Sequence, residues 1–323
     1  MPLAKSRALW RVVSEIDLEA IQHEASRPFR VGIAADDATR ARTLALLLSD
    51  DAADRVHPWI TLLPADPPAA PAADIYLYVT SPSADPSCLA GWRMHARSAS
   101  TPLVTIVVGS AAALDRAPHD GESARVGIPA LTPAALIEVA PVVVQALPDG
   151  LRLSVARQLP PLRRPVFDAL IDETARANAM YAMTTGVAES VPLMSVPLNV
   201  ADIIVLTKNQ LILSYRIALG AGKSGRAREL LAEVVGVVGS GFLFRQGARQ
   251  LVGLVPVLGI LPKVAMAYAG TWAVGRAVAA WATHGEQVTA AAIRRFYREA
   301  RERGQEVAQA LVRRSRRLGK SRV

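Results

Sequence analysis

The alternation of apolar and polar positions divides the chain into a first part that predicts strands and helices in turn and a second part that predicts helices alone. In the first part, short runs rich in β-branched and aromatic residues indicate buried strands, and longer runs with helical spacing lie between them. The predicted strands are residues 29–34, 59–63, 74–80, 103–108 and 126–131, and the predicted helices are residues 38–48, 86–99 and 133–146. This alternation predicts a parallel α/β sheet with helical crossovers over residues 28–147.

The second part continues with helical spacing only, and a separate amphipathic helix is predicted before the first strand. The helices predicted after residue 151 cover residues 166–183, 199–219, 230–245, 250–261, 263–283 and 287–317. The N-terminal helix lacks the apolar run of a secretory signal. We therefore divide the chain into an N-terminal helix (1–27), an α/β domain (28–147), a helical connector (148–190), an apolar helical block (191–285) and a basic C-terminal helix (286–323).

The last helix of the apolar block carries small residues at close spacing. They are Ala265, Ala269, Ala273 and Ala277 at every fourth position, with Gly270 and Gly275 nearby. Such a stripe lets two helices approach closely, which is the packing mode favoured in bilayers. Residues 264–282 also form a run of 19 residues whose one charge is Arg276, which just reaches the length of a membrane span. A central arginine costs roughly 2.5–3.5 kcal/mol there unless it pairs, for which Asp202 and Glu233 are candidates.

Composition and charge add a membrane surface to this picture. Apolar residues make up 51% of the chain and mean hydropathy is +0.24, whereas aromatic residues make up only 5%. Of the net charge of +9, residues 286–323 contribute +7, with eleven Lys or Arg against four Glu. A basic helix with an apolar face suits anionic membrane lipid, and the residues expected to contact it are Arg294, Arg295, Arg298, Arg313, Arg314, Arg316 and Arg317. A solvated charged helix is the alternative, and nucleic acid is disfavoured because no recognition motif accompanies the charge.

The α/β domain invites a nucleotide-binding interpretation that its residues do not support. A phosphate loop needs glycines after the first strand, a Lys for the phosphates and a Ser or Thr for magnesium. Residues 31–44 supply neither the Lys nor the second glycine, and Asp36 and Asp37 would repel a polyphosphate. The string Gly222-Lys223-Ser224 has no preceding strand and no glycine five positions earlier, so we interpret it as a turn that ends a helix.

Other catalytic arrangements are also missing from the sequence pattern. The five histidines are scattered without metal-ligand spacing, and the one cysteine, Cys88, excludes a disulfide framework and a cysteine zinc cluster. Asp168, Asp172 and Glu173 lie on one predicted helix among arginines, which favours solvated ion pairs over catalytic carboxylates. We predict no catalytic residue, no cofactor and no metal.

Two segments of the helical part carry a resemblance to a known family. The motif residues are Asp202, Lys208, Asn209, Gln210, Tyr215 and Arg216 in the first segment, then Pro256, Gly259, Thr271, Trp272, Gly275 and Arg276 in the second. With this pattern, about the last two fifths of the chain resembles the bacterial domain of unknown function numbered 697. Members are associated with bacterial membranes, so the resemblance implies a membrane location.

The same resemblance bears on the α/β domain, because members often carry an Era-like, Ras-like GTPase domain before the helical part. Residues 130–132 resemble the guanine-contacting turn of such a domain. However, residues 109–112 stand where the Asn-Lys-x-Asp guanine reader belongs, and no Asp-x-x-Gly magnesium switch is present. The resemblance therefore implies a degenerate P-loop GTPase-like fold followed by an all-α helical bundle.

These observations predict a membrane-associated interaction or scaffold protein with a pseudo-GTPase domain and no catalysis. We expect it at the bacterial cytoplasmic membrane, with the α/β domain and the basic tail in the cytoplasm, and with anionic lipid, a second copy or a membrane protein as partner. Two alternatives stay open. One is a divergent GTPase that binds GTP through Arg40 or Arg42, and the other is a soluble cytoplasmic scaffold that forms homo-oligomers through the stripe from Ala265 to Ala277.

Overall fold

A computed structural model of the chain describes residues 16–67, 73–109, 117–188, 200–226, 228–230, 232–234, 260–286 and 289–320. The chain forms two compact units, one from residues 23–166 and the other from residues 1–22 and 167–323. We call them the α/β unit and the helical unit. Most of the helix predicted at residues 230–245, most of that at 250–261, and the motif residues Pro256 and Gly259 lie outside the described residues.

The α/β unit is built on a five-stranded sheet, which confirms the prediction of a parallel α/β domain. The strands are β1 (Val31–Ala35), β2 (Ile60–Leu62), β3 (Ile75–Thr80), β4 (Leu103–Val108) and β5 (Ala124–Ile128). All neighbouring pairs are parallel, and their order is β2-β1-β3-β4-β5. Every residue of β1 and β3 is buried, as expected for strands covered on both faces.

Among the described elements up to residue 158, two helices lie between strands, and an acidic side chain fixes where each of these two begins. In chain order the helices are α1 (Leu18–Ser26), α2 (Ala38–Ser49), α3 (Pro86–Ser98), α4 (Leu136–Ala146) and α5 (Asp149–Gln158). Asp37 caps α2 and Asp85 caps α3, each accepting a hydrogen bond from the backbone N–H two residues on. The sequence pattern does not predict α5, because Asp149-Gly150 after Pro148 is typical of a turn.

Aromatic and charged side chains hold the sheet to α3 and to the strand ends. Trp92 on α3 lies 5.2 Å from the ring of Tyr76 and donates to the carbonyl of Ala65 at 2.7 Å. The buried carboxylate of Glu122 accepts hydrogen bonds from Arg93 and from Thr105. Burial alone would raise the pKa of Glu122, but these bonds outweigh it and lower the pKa.

The helical unit contains α6 (Arg163–Ala188, whose first turn belongs to the α/β unit), α7 (Val200–Gly220), α8 (Ile260–His284) and α9 (Ala290–Lys320). Helix α8 is central, because it packs along α9 on one side and against α6 and α7 on another. Val264 and Tyr268 of α8 lie in one core cluster with Ala175 and Ala179 of α6.

The structure corrects the expectation of a membrane span at residues 264–282. Within the described ranges, no helix combines the length and the apolar character that a membrane crossing needs. The physical reason is that the apolar character of α8 comes largely from alanine, while Lys263, Thr271 and Arg276 add polar groups to the same helix.

Candidate functional site

The carboxyl ends of β1 and β3 form the first candidate site, because ligands of doubly wound sheets bind where the strand order reverses. Only two residues, Asp36 and Asp37, separate β1 from α2, so the connection has no room for a phosphate-cradling loop. The Asp36 carboxylate accepts from the backbone N–H of Ser81 at 2.9 Å and pairs with Arg40 at 2.6 Å. The Asp36 side chain at this crevice is therefore already engaged by partners of its own unit.

Asp37 also disfavours phosphate binding, because it lies at the beginning of α2, where a phosphate would otherwise bind. Its side chain accepts from the backbone N–H of Thr39 at 2.8 Å, and that bond lowers the pKa of Asp37. A helix N-terminus attracts one anion, and here the ionised side chain already provides it. Arg40, one of the two arginines considered for GTP, is held by Asp36, and Arg42 is exposed on α2.

The string Gly222-Lys223-Ser224 lies in the turn after α7. Gly222 has a φ of 90°, and the backbone N–H of Lys223 donates to the carbonyl of Ala218 at 3.0 Å, which is the geometry of a helix C-terminal turn. The Lys223 ammonium lies 4.8 Å from the ring centre of Trp281 and 4.0 Å from Glu233. It points to side chains of its own unit.

A buried polar cluster joins α6, α7 and α8, and three of its members are motif residues. Asn178 donates to the Thr271 hydroxyl at 2.8 Å and accepts from the side-chain amide of Asn209 at 2.7 Å. Gln210 donates to the same hydroxyl at 3.3 Å. We call Asn178, Asn209, Gln210 and Thr271 the polar cluster. Because each bond connects a different pair of helices, the cluster fixes their register.

The remaining motif residues lie around this cluster. Tyr215 is fully buried, Lys208 and Arg216 are partly buried, and the side chain of Asp202 lies outside the described residues. Trp272 turns toward α9, where its ring lies 6.5 Å from that of Phe296. The motif therefore lies mostly inside the helical unit and at the contact between its helices.

The small-residue stripe of α8 is covered by α9. Ala273 and Ala277 pack against Phe296, and a Cβ on Gly304 of α9 would lie 2.7 Å from the carbonyl oxygen of Ala265. Ala269 is also buried. An oligomer formed through this stripe, one of the alternatives above, would have to displace α9.

The two glycines of the stripe differ from each other. A Cβ on Gly275 would lie 2.6 Å from Ile171 of α6 and 3.1 Å from Leu213 of α7, so this glycine permits a three-helix contact. A Cβ on Gly270 would meet no atom within 4 Å. Of the two, only Gly275 lies where packing requires a glycine.

Ion pairs tie the acidic residues of α6 to arginines on α8 and α9. Arg276 pairs with Asp168, which corrects the expectation that Asp202 or Glu233 would be its partner, and its guanidinium lies 5.4 Å from the ring centre of Trp272. Asp172 accepts from the Tyr268 hydroxyl at 2.5 Å and pairs with Arg303 at 3.2 Å.

The chemistry of Asp172 follows from these partners. Burial alone would raise its pKa, but hydrogen bonds from Arg176 and Tyr268, and the charges of Arg176 and Arg303, outweigh burial and lower the pKa. Burial, and then the bond to Asp172, raises the pKa of Tyr268. Both groups thus keep their ordinary charge at neutral pH and act as a structural pair between helices.

The exposed residues of α9, which we call its outward side, form a charged surface of the helical unit. The apolar residues Phe296, Ala300 and Val307 are buried toward α8, as the helical periodicity predicts. Besides Arg303, which pairs with Asp172, the exposed arginines of α9 are Arg294, Arg295, Arg298, Arg301, Arg313 and Arg314. Arg316 and Arg317 belong to the same helix, with side chains outside the described set.

No protein-family model, no curated protein and no solved structure matches the chain significantly. In the described part of the chain, no group of three or more His, Cys, Asp or Glu side chains could hold a metal ion.

Several residues that build these sites could not be matched with their partners from the sequence. Asn178 and Asp168 lie on α6, more than ninety residues from their partners on α8, and Gly304 lies within a basic segment. A polar residue at a core position of α6 was the one available sign for Asn178. Spacing along the chain could not have identified its partners.

Proposed function

We propose that this protein is a non-enzymatic scaffold that binds anionic membrane surfaces through the outward side of α9. The observation that carries the proposal is the division of α9 into two sides. Its apolar residues pack on α8, and six of its arginines besides the paired Arg303 are exposed.

The charge of α9 is sufficient for such binding. Ten Lys or Arg and three Glu give this helix a net charge of +7. Basic residues near an anionic membrane contribute about 1 kcal/mol each, so a handful of contacts supports stable attachment. The attraction is screened over roughly 10 Å at 0.1 M salt, so binding through this side must weaken as salt rises.

The packing of α9 also changes the mode of attachment from the one that the sequence predicts. An amphipathic helix that inserts into the interface buries its apolar face among acyl chains. In α9 that face is occupied by α8, so attachment through the arginines is peripheral. The alternative of an oligomer through the alanine stripe is less supported, because the same packing covers the stripe.

In this proposal the α/β unit binds no nucleotide. It shares with a GTPase domain only the order of its strands and helices. The two-residue connection after β1 and the ionised Asp37 at the beginning of α2 support this. The unit then serves as the cytoplasmic body of the scaffold, available to a membrane-protein partner. The alternative of a working GTPase that binds nucleotide through Arg40 is less supported, since Arg40 is paired with Asp36.

Co-sedimentation with vesicles tests the proposal. The full chain is mixed with phosphatidylglycerol-containing vesicles and, separately, with pure phosphatidylcholine vesicles, at low and at high salt. We expect it to sediment with the anionic vesicles at low salt and to be released by high salt. Equal binding to both vesicle types, or binding that resists salt and alkaline carbonate, would contradict peripheral attachment through arginines.

A further inference from the structure

A groove of about 530 Å³ lies between α8 and α9 on the helical unit. Its floor is apolar, formed by Leu261, Ala265 and Ala269 of α8 together with Ala308 of α9, and Arg301 lies at its rim. The volume falls within the roughly 300–1,000 Å³ typical of small-molecule sites. The residues of α9 that line it extend over about 18 Å at the helical rise, so the groove is elongated.

Small residues explain why this space exists. Gly304 brings the backbone of α9 against the carbonyl of Ala265, while the alanines on either side of that contact have no side chain long enough to fill the gap beside it. Leu261, at one end, leaves 41% of its surface exposed. An apolar floor therefore stays open to the outside.

The rim supplies a positive charge that is not neutralised. Arg303 is paired with Asp172, but Arg301 has no carboxylate partner in the part of the chain that the structure describes. Arg298 lies one turn away and is also exposed, and Gln305 adds a side-chain amide donor at the rim. An apolar floor beside an unneutralised guanidinium is complementary to a molecule with an extended hydrocarbon chain and an anionic head.

We propose that this groove holds one acyl chain of an anionic membrane phospholipid, with the lipid phosphate against Arg301. The inference rests on the proposed function, since the membrane surface that α9 meets is the source of the lipid. It goes beyond that function because surface attachment by arginines needs no lipid to leave the plane of the bilayer, whereas the groove withdraws one chain from it.

Calorimetric titration of the full chain with monomeric dodecyl phosphate, below its micellar concentration, tests the groove without a membrane. We expect saturable one-to-one binding, and no binding of inorganic phosphate. Arg301→Gln removes a charged hydrogen-bond donor from an exposed position and should weaken binding roughly tenfold or more. Met266→Trp should abolish the binding of dodecyl phosphate by filling the groove. If Met266→Trp does not fold, the result for Arg301→Gln decides whether the groove binds the ligand.

Two further arms separate this inference from the proposed function. After incubation with phosphatidylglycerol vesicles, native mass spectrometry should find one retained lipid on the wild type and none on Met266→Trp, while both proteins still sediment with the vesicles. Vesicle binding without retained lipid and without dodecyl phosphate binding would overturn the groove and leave the scaffold proposal intact. Dodecyl phosphate binding without vesicle binding would overturn both the membrane source of the ligand and the scaffold proposal.

Discussion

Asn178 is the residue on which three helices of the helical unit converge. It is fully buried, donates to Thr271 and accepts from Asn209. A buried amide is stable only when its hydrogen bonds are made, so this side chain permits one relative position of α6, α7 and α8. At the residue scale, the motif of this chain is therefore explained by packing specificity.

Removing Asn178 should reveal that coupling. Asn178→Ala leaves the Thr271 hydroxyl and the Asn209 amide without this partner, and we expect the free energy of unfolding to fall by about 1–3 kcal/mol. In a double-mutant cycle with Thr271→Ala, measured by urea denaturation of the full chain, the coupling should lie within roughly 0.5–3 kcal/mol.

Thr174→Ala is the matched control for this cycle, because the Thr174 hydroxyl bonds the carbonyl of Leu170 within α6 itself. Its effect should add to that of Thr271→Ala within about 0.5 kcal/mol. Coupling of the same size in both cycles would refute a specific role for Asn178.

At Tyr78 on β3, we expect a substitution to increase stability. Its ring is buried, its hydroxyl has no hydrogen-bond partner within the described ranges, and burial raises its pKa. Tyr78→Phe should therefore raise the free energy of unfolding by roughly 1–3 kcal/mol, since a buried donor without a partner is removed. On the same strand, the Tyr76 hydroxyl lies 3.3 Å from His95 Nε2, so Tyr76→Phe should lower the free energy of unfolding. Loss of stability in both variants would show that Tyr78 has a partner.

At the scale of elements, α8 packs closely against α9, and two glycines test this contact. Gly304→Ala places a Cβ 2.7 Å from the Ala265 carbonyl oxygen and should cost about 1–3 kcal/mol despite the higher helix propensity of alanine. Gly270→Ala meets no atom within 4 Å and should stabilise the chain by roughly 0.5–1 kcal/mol. Thermal unfolding measures both, and a stabilising Gly304→Ala would show that the helices are not in close contact.

The carboxylate of Asp172 connects α6 to α8 and α9 and makes their packing sensitive to acid. Its folded pKa lies below the ordinary value of about 3.9, so its contribution is complete above that value and is lost as pH falls through the folded pKa. Asp172→Asn should lower the free energy of unfolding at neutral pH by roughly 1.5–3 kcal/mol.

The difference between Asp172→Asn and the wild type should shrink only below a pH of about 4, where the carboxyl of the unfolded wild type begins to be protonated. Urea titrations at a series of pH values provide the measurement. A difference that stays constant down to strongly acidic pH would exclude the ion pairs as its cause.

The strands of the α/β unit could be predicted from the sequence because each is a short apolar run bounded by turn residues. Strand β5 begins two residues earlier than predicted, since Ala124 and Arg125 carry no apolar signal. The pairing order could not be predicted, because it depends on which strands meet in space. For the same reason the cover of the alanine stripe was missed: an apolar face of α9 fits a neighbouring helix and a bilayer equally well in sequence.

At the scale of the whole molecule, the two units differ in the groups that they expose. The α/β unit has Asp36 and Asp37 where its strand order reverses, and the helical unit buries the apolar residues of α9 and exposes most of its described arginines. Hydropathy alone suggested insertion into the membrane. The packing of α9 on α8 redirects that interpretation to attachment at the membrane surface.

The partition of two charge-matched variants onto phosphatidylglycerol vesicles tests this account most directly. One variant changes the exposed arginines Arg298, Arg313 and Arg314 of α9 to Gln, and the other changes the exposed Arg42, Arg164 and Arg228 elsewhere to Gln. At about 1 kcal/mol per basic residue, the α9 variant should bind roughly 100-fold more weakly than the wild type, while the control variant stays within about twofold. Equal weakening of both variants, or no weakening of the α9 variant, would contradict attachment through this side of α9.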